Sequence, residues 1–249
     1  MPNLLTTKNR GKIIHQTWKT SCIPEMYEHA VNSWKLHHPD WEHILWTDQD
    51  IYDFVKTSFP EYLKLFERYS EQIQRVDIVR YMLLYKFGGI YVDLDVACNQ
   101  NVSFFLDYEV VLPQTGNFLG KLYYSNDFMF SKPGHPFFKY VLEGANKAYW
   151  LYHWKLIPHH FRVLLTTGSN FMSKRYRSYP LKNDIHILNP ALYGQDSKVA
   201  CVTHLPGNSW CKKDTYFFLY LERHYKKILN TINKLIKKTK QSDLEPHQK

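Results

Sequence analysis

Two aspartates one residue apart, Asp93 and Asp95, follow the strand-forming run Ile90-Tyr91-Val92, itself preceded by Gly88-Gly89. At the carboxyl end of a buried strand such a pair points both carboxylates into the crevice where open α/β sheets bind ligands. Magnesium and manganese take oxygen ligands in sites of that kind. They are usually held by one or two carboxylates, and water and substrate phosphates fill the rest of the shell. The spacing alone is not distinctive. Asp48 and Asp50 repeat it at an expected helix start, where Asp48 serves as the cap and acids complement the macrodipole. Paired carboxylates can also hydrolyse glycosides, but an acid and a nucleophile must then flank one bond ~5 to 9.5 Å apart. Neighbouring side chains of one Asp-x-Asp do not provide that separation.

A second charged pair stands upstream. Asp77 and Arg80 are three apart, hence on one face of the helix expected over 71–87, where Ile73, Val76, Ile78, Val79, Met82, Leu83 and Leu84 surround them. An intrahelical ion pair on a solvated face is the ordinary reading of that spacing. Burial among apolar residues costs several kcal/mol unless partners offset it, which favours a ligand or a site network.

The elements that must position these groups alternate. Strands are expected over 12–17, 43–46, 90–92, 109–112, 121–131, 185–188 and 199–204. Helices are expected over 25–36, 49–57, from Pro60, over 71–87, from Pro136 to about 150 and briefly after Gly168. This alternation implies an α/β domain with a mostly parallel, Rossmann-like sheet flanked by helices. An amphipathic helix over about 214–240 carries Leu221, Tyr225, Ile228, Leu229, Ile232, Leu235 and Ile236 on one stripe with lysines opposite. No linker or repeat divides the chain. One domain over 1–249, with its core at about 11–212, is expected.

The run RVDIVRYMLLYKFGGIYVDLD, residues 75–95, resembles the signature of the DxD-containing sugar transferases of glycosyltransferase family 32, which includes fungal α-mannosyltransferases and bacterial capsular polysaccharide enzymes. Three more segments fall in that family's order: KIIHQTWK at 12–19, SNDFMFSKPGHP at 125–136 and THLPGNSW at 203–210. The resemblance implies a GT-A fold, a nucleotide-sugar donor (UDP- or GDP-linked), a manganese or magnesium ion, and transfer of a hexose with retention to a glycan, glycolipid or protein hydroxyl. It implies that Gln16, Thr17 and Trp18 line the nucleotide pocket, Trp18 either stacking on the base or packing in the core. It gives Asp77 and Arg80 the donor's sugar, ribose or phosphate, and Asp93 and Asp95 the sugar and the metal. It also implies that His204 meets metal or phosphate and that Ser209 and Trp210 close over the diphosphate. Asn126 falls where the family has an asparagine near the donor sugar or acceptor, and Asp127 follows where a small residue is common. Thr167-Gly168-Ser169 resembles an acceptor-side loop lacking its usual proline. In this reading Asp93, Asp95 and Asn126 form the catalytic set. No catalytic nucleophile is evident, which favours front-side attack by the acceptor hydroxyl.

Composition sets the outer bounds. With 249 residues, 44% hydrophobic and 22% charged, the chain is globular, not disordered or repetitive. No window reaches the ~18 apolar residues of a membrane span, and residues 1–10 lack the apolar core of a secretory signal. A cytoplasmic enzyme, peripheral on a membrane through its C-terminal helix or capped by it, is expected. The four cysteines form no CxxC pair and read as reduced thiols. Aromatic residues at 16% beside a net charge of +9 raise an alternative, a non-catalytic module binding nucleic acid or an anionic membrane. Residues 221–249, however, hold 8 Lys/Arg against 3 Asp/Glu, leaving only 24 against 20 elsewhere, so no nucleic-acid partner is expected. A mildly basic body still attracts an anionic nucleotide.

Overall fold

The computed structural model describes residues 11–118, 121–194, 199–205 and Tyr220, with the side chains of 116–121 left aside. The chain divides into two compact units, 1–157 with 161–207 and 158–160 with 208–249. Of the second unit, Pro158–His160 and Tyr220 are described. The helix expected over 214–240 otherwise lies outside the described residues, as do Ser209 and Trp210.

In chain order the elements are β1 (Ile13–Thr17), α1 (Glu25–His37), β2 (Glu42–Trp46), α2 (Asp48–Ser58), α3 (Pro60–Arg68), α4 (Gln72–Phe87), β3 (Gly89–Val92) and β4 (Val96–Cys98). They continue with β5 (Val110–Phe118), β6 (Lys121–Tyr124), β7 (Phe128–Ser131), α5 (Pro136–Tyr152), α6 (His159–Thr166), α7 (Ser169–Ser178), β8 (Ile185–Leu188) and β9 (Val202–His204). The main sheet runs β2-β1-β3-β7-β5-β6, with β8 also on β5. β1, β2, β3, β5 and β8 share one direction and β6 and β7 oppose it, so the mixed α/β fold has the mostly parallel sheet expected. A separate two-stranded ribbon joins β4 to β9.

Strand side chains alternate between two cores. Ile13, Tyr91, Met129 and Leu112 face the core shared with α2 to α5 and α7. Ile14, Ile90, Val92, Phe128 and Phe130 face the one containing Trp34 of α1. The Trp34 indole N–H donates to the Val96 carbonyl at 2.8 Å, tying α1 to β4. α4 is buried from Asp77 to Leu84, as its all-round apolar sequence requires. It stops at Gly88 (φ 67°) and Gly89 (φ 85°), where a Cβ would stand 2.6 Å from the Pro133 nitrogen and 2.3 Å from the Ile13 carbonyl oxygen. Both glycines are therefore fixed by backbone conformation and close approach. They let the chain reverse straight into β3.

Two local expectations change. α2 is capped by Thr47, whose hydroxyl accepts from the Asp50 N–H while Asp50 accepts from the Thr47 N–H; Asp48 is the first helical residue, not the cap. The strand expected over 121–131 breaks into β6 and β7, and Ser125-Asn126-Asp127 form the bend between them. β4 and α6 are elements the sequence pattern did not mark.

Candidate active site

Beneath the end of β3 lies a closed polar node. Asp77 accepts from the Arg80 guanidinium at 3.1 Å, from the Asn126 amide at 3.0 Å and from the Thr167 hydroxyl at 3.0 Å. The Asn126 amide also donates to the Tyr81 hydroxyl at 3.0 Å, and that hydroxyl donates to the Thr167 carbonyl at 2.7 Å. Arg80 donates to the Asn126 carbonyl at 2.6 Å, reaches both oxygens of Asp93 at 3.4 Å and lies over the Tyr91 ring at 4.6 Å. A buried ion pair is tolerated when further hydrogen bonds support both partners, and here Asn126, Thr167 and Asp93 supply them, leaving the Arg80 Nε without a partner. The exposed i,i+3 pair is thus excluded.

Above the node, the carboxylates open outward. Tyr91 donates to Asp93 at 2.8 Å and its hydroxyl also meets Thr17 of β1 at 3.0 Å. Asp95 follows two residues later. The β4–β9 ribbon pairs Val96 with His204, and the Leu205 N–H donates to the Asp95 carbonyl at 2.7 Å, which brings the His204 ring to the carboxylates. His204 Nε2 lies 3.8 Å from Asp95 and 3.5 Å from Asp127. Asp127 arrives on the bend between β6 and β7, its neighbour Asn126 anchored in the node, and the Asp93 N–H donates to its backbone carbonyl at 2.8 Å. The Tyr193 hydroxyl bonds one Asp127 oxygen; the other is buried with no partner.

Burial raises the Asp93 carboxyl to about 7, with Asp95 and Asp127 pushing the same way and Arg80 and Tyr91 opposing. Asp95 is also raised, first by burial and then by Asp127, against the pull of His204. Burial raises Asp77 too, opposed by Arg80, Thr167 and Asn126. Arg80 is held firmly protonated by Asp93, Tyr91 and Asp77 despite its own burial. Three carboxylates at a strand end, one with an orphaned buried oxygen, supply hard oxygen donors, the ligand type divalent cations take. Among the described residues no group of three or more His, Cys, Asp or Glu is placed so that it could hold a metal ion. A cation here would have to share its shell with a diphosphate.

Of the residues singled out from sequence, Asp77, Arg80, Asp93, Asp95, Asn126 and His204 are brought together, with Thr17 linked through Tyr91. Gln16 is buried on β1 and its amide nitrogen has no partner, a donor left for a ligand. Trp18 is half-buried, edge-on to Tyr27 at 5.6 Å, with its amide on the Trp46 carbonyl. Trp18 thus packs against the small cluster of Tyr27, Val31 and Leu94. Asp127, Tyr193, Tyr91 and Tyr81 were missed. Asp127 had a signal, an acid where the family commonly has a small residue; the tyrosines had none among 19 in the chain.

The architecture is a fold of the GT-A type. It overlays the solved "PaToxG Glycosyltransferase" with a TM-score of 0.52 at 18% identity, covering 69% of this chain and 71% of that one. Residues 24–116 match the family described as "Glycosyltransferase sugar-binding region containing DXD motif". The chain is 36% identical over 220 residues to inositol phosphoceramide mannosyltransferase 3 of Schizosaccharomyces pombe, covering 86% of this chain and 59% of that protein. It is 33% identical to inositol phosphoceramide mannosyltransferase 1 of the same yeast, covering 88% and 67%. The chain belongs to the DXD-motif glycosyltransferases of family 32. It spans about three fifths of the first of these relatives.

Proposed function

We propose that the chain is a metal-dependent, retaining hexosyltransferase that moves mannose from a nucleotide-diphosphate sugar to the inositol-phosphate headgroup of a sphingolipid. The observation that carries this reading is the meeting of Asp93, Asp95, Asp127 and His204 at the end of β3, on three separate backbone segments. The printed names of the two yeast relatives support the sugar and the acceptor class.

Within this reading the chain's own residues divide the work. A bound divalent ion would neutralise charge on the departing diphosphate, with Asp95, Asp127 and His204 as its holders. Arg80 stays protonated and fixes both Asp93 oxygens, so Asp93 presents one orientation toward the donor sugar. Gln16 offers its unpaired amide to the nucleotide. Asn126, with its amide on Asp77 and Tyr81 and its carbonyl on Arg80, sets the bend that carries Asp127. Both amide hydrogens of that side chain are already engaged, so it acts by positioning and Asp127 meets the reactants. Among the described residues no separate base stands against a nucleophile, so the acceptor hydroxyl attacks from the face the diphosphate leaves. Its oxygen bonds the anomeric carbon as the bond to the diphosphate breaks, and its proton passes to a departing phosphate oxygen. A kinetically competent covalent glycosyl-enzyme would contradict that step.

The test is release of nucleoside diphosphate from GDP-mannose and a panel of UDP- and GDP-sugars, with manganese or chelator, in the native chain and Asp95→Asn. Turnover of GDP-mannose that needs manganese and Asp95 supports the reading. Turnover of another donor corrects the sugar, and silence across the panel with no metal-dependent nucleotide binding removes the enzyme reading.

A further inference from the structure

Far from the carboxylates along the chain, the end of α5 and the turn after it expose apolar side chains that a soluble surface ordinarily hides. Trp150 is 53% exposed, Leu151 49%, Trp154 58% and Leu156 96%. The two tryptophans are contiguous. Trp150 packs on His153 at 5.2 Å and His153 on Trp154 at 4.7 Å, so the rings form one continuous aromatic surface held by the His153 bond to the Tyr149 carbonyl. The Arg68 guanidinium lies over the Trp150 ring at 5.5 Å. Single exposed apolar residues are unremarkable on a protein surface; a contiguous aromatic patch rimmed by polar groups marks an interaction site.

The charge around the patch narrows the partner. Between Glu143 and Asp184 the sequence has no Asp or Glu and seven Lys or Arg, of which Arg162 is paired with Glu71 from outside the segment. Lys147 and Lys155, which flank the aromatic residues, are exposed. Tryptophan combines an apolar ring with a polar edge and is enriched where apolar and aqueous phases meet. Tryptophans and leucines beside lysines therefore match the interface of an anionic bilayer, where basic groups add electrostatic attraction.

Position relates the patch to the site. α6 leads from the segment after the patch to Thr167, whose hydroxyl holds Asp77. From Phe161, itself 36% exposed, to Thr167 the helical rise is roughly 9 Å. Along the chain, the patch and Thr167 are thus separated by α6 and the short turn before it.

We propose that Trp150, Leu151, Trp154 and Leu156, flanked by Lys147 and Lys155, dock the enzyme on an anionic phospholipid bilayer and present the site to an acceptor headgroup at its surface. Docking itself stands on the exposed rings and the charge; only the presentation of an acceptor rests on the functional reading above. No described helix is long and apolar enough to span a membrane, so contact through this patch is interfacial.

The experiment is sedimentation of the full chain with vesicles of phosphatidylcholine alone or with 30 mol% phosphatidylinositol, run on the native chain, Trp150→Ala/Trp154→Ala and Lys147→Gln/Lys155→Gln. Loss of two interfacial tryptophans is expected to weaken binding at least about tenfold on both vesicles. At about 1 kcal/mol per basic group, loss of the two lysines should weaken binding about thirtyfold on the anionic vesicles alone. Circular dichroism and manganese-dependent release of nucleoside diphosphate from water-soluble donors should be unchanged in both variants. Equal binding by native and variant chains overturns the proposal, as does no binding by the native chain. A native dimer that Trp150→Ala/Trp154→Ala converts to monomer overturns it in favour of self-association. Donor turnover with no vesicle binding leaves the enzyme reading standing and removes the docking surface; vesicle binding with neither turnover nor metal-dependent nucleotide binding does the reverse.

Discussion

Two groups of aspartates lie within one helix and one strand end of each other and are built to opposite rules. Asp77 has each of its oxygens bonded, by Arg80, Asn126 and Thr167, and is buried. Asp93, Asp95 and Asp127 crowd together, with an oxygen unpaired on Asp127 and 29% of the Asp93 side chain still exposed. A satisfied buried carboxylate is part of the scaffold. Crowded carboxylates with unmet bonding capacity store a cost that a ligand relieves. The same residue type thus separates into structure and site by what surrounds it, and Arg80 joins the two by touching Asp77 on one side and Asp93 on the other.

The comparison predicts opposite signs for the same kind of substitution. Asp77→Asn should destabilise the fold by about 3 kcal/mol, because it leaves Arg80 short of a buried counter-charge; Asp93, still beside Arg80, keeps the loss at the low end. Urea unfolding reads it as a lower midpoint at unchanged slope. A midpoint equal to the native one would mean that the node is not structural. Asp95→Asn should leave the midpoint unchanged or raise it, since it removes a charge from a crowded site, while nucleoside diphosphate release falls by about 10² to 10³, the range for losing one electrostatic transition-state contact. Loss of stability and activity together in Asp95→Asn would erase the distinction between the two groups.

How far the sequence disclosed this arrangement follows from the range of the forces involved. Gly88-Gly89, Ile90-Tyr91-Val92 and the apolar surroundings of Asp77 and Arg80 are local patterns, and each predicted its element and its burial. The Thr47 cap displaced Asp48 because the hydroxyl reached the Asp50 N–H, a choice between adjacent residues that propensity does not decide. Asp127 was visible only as a departure from a family pattern. Its role depends on the break between β6 and β7, which runs through a stretch that alternation alone reads as one strand. Tyr193 reaches Asp127 across 66 residues of sequence and Thr167 reaches Asp77 across 90, contacts for which the chain carries no local mark.

A smaller effect sharpens the site half of the comparison. If Asp95, Asp127 and His204 take a divalent ion from the open side, manganese at ten times its Kd should add about 1.4 kcal/mol to native stability. For a chain of this size that raises Tm by about 3 to 6 °C. The shift should vanish in Asp95→Asn and shrink in Asp127→Asn and His204→Ala. An equal shift in all four proteins would place the ion elsewhere.

The smallest effect is in the pH dependence of stability without metal, where two buried histidines and the strand-end carboxylate pull against each other. His15, bonded to Gly88 and Trp46, and His38 are lowered by burial to about 4. Between pH 4 and 6.5 the unfolded chain binds protons there that the native chain does not, so these histidines make stability fall as pH falls through that window. Asp93 works the other way. With a native value of about 7 against an ordinary carboxylate near 4, its contribution is full below pH 4 and is lost as pH rises through 7. In the native chain the two slopes partly cancel. Asp93→Asn removes only the carboxylate's share, so its urea midpoint should climb more steeply than the native one from pH 4.5 to 7. Parallel curves would show that Asp93 carries an ordinary proton affinity, and that the strand end is as well satisfied as the node beneath it.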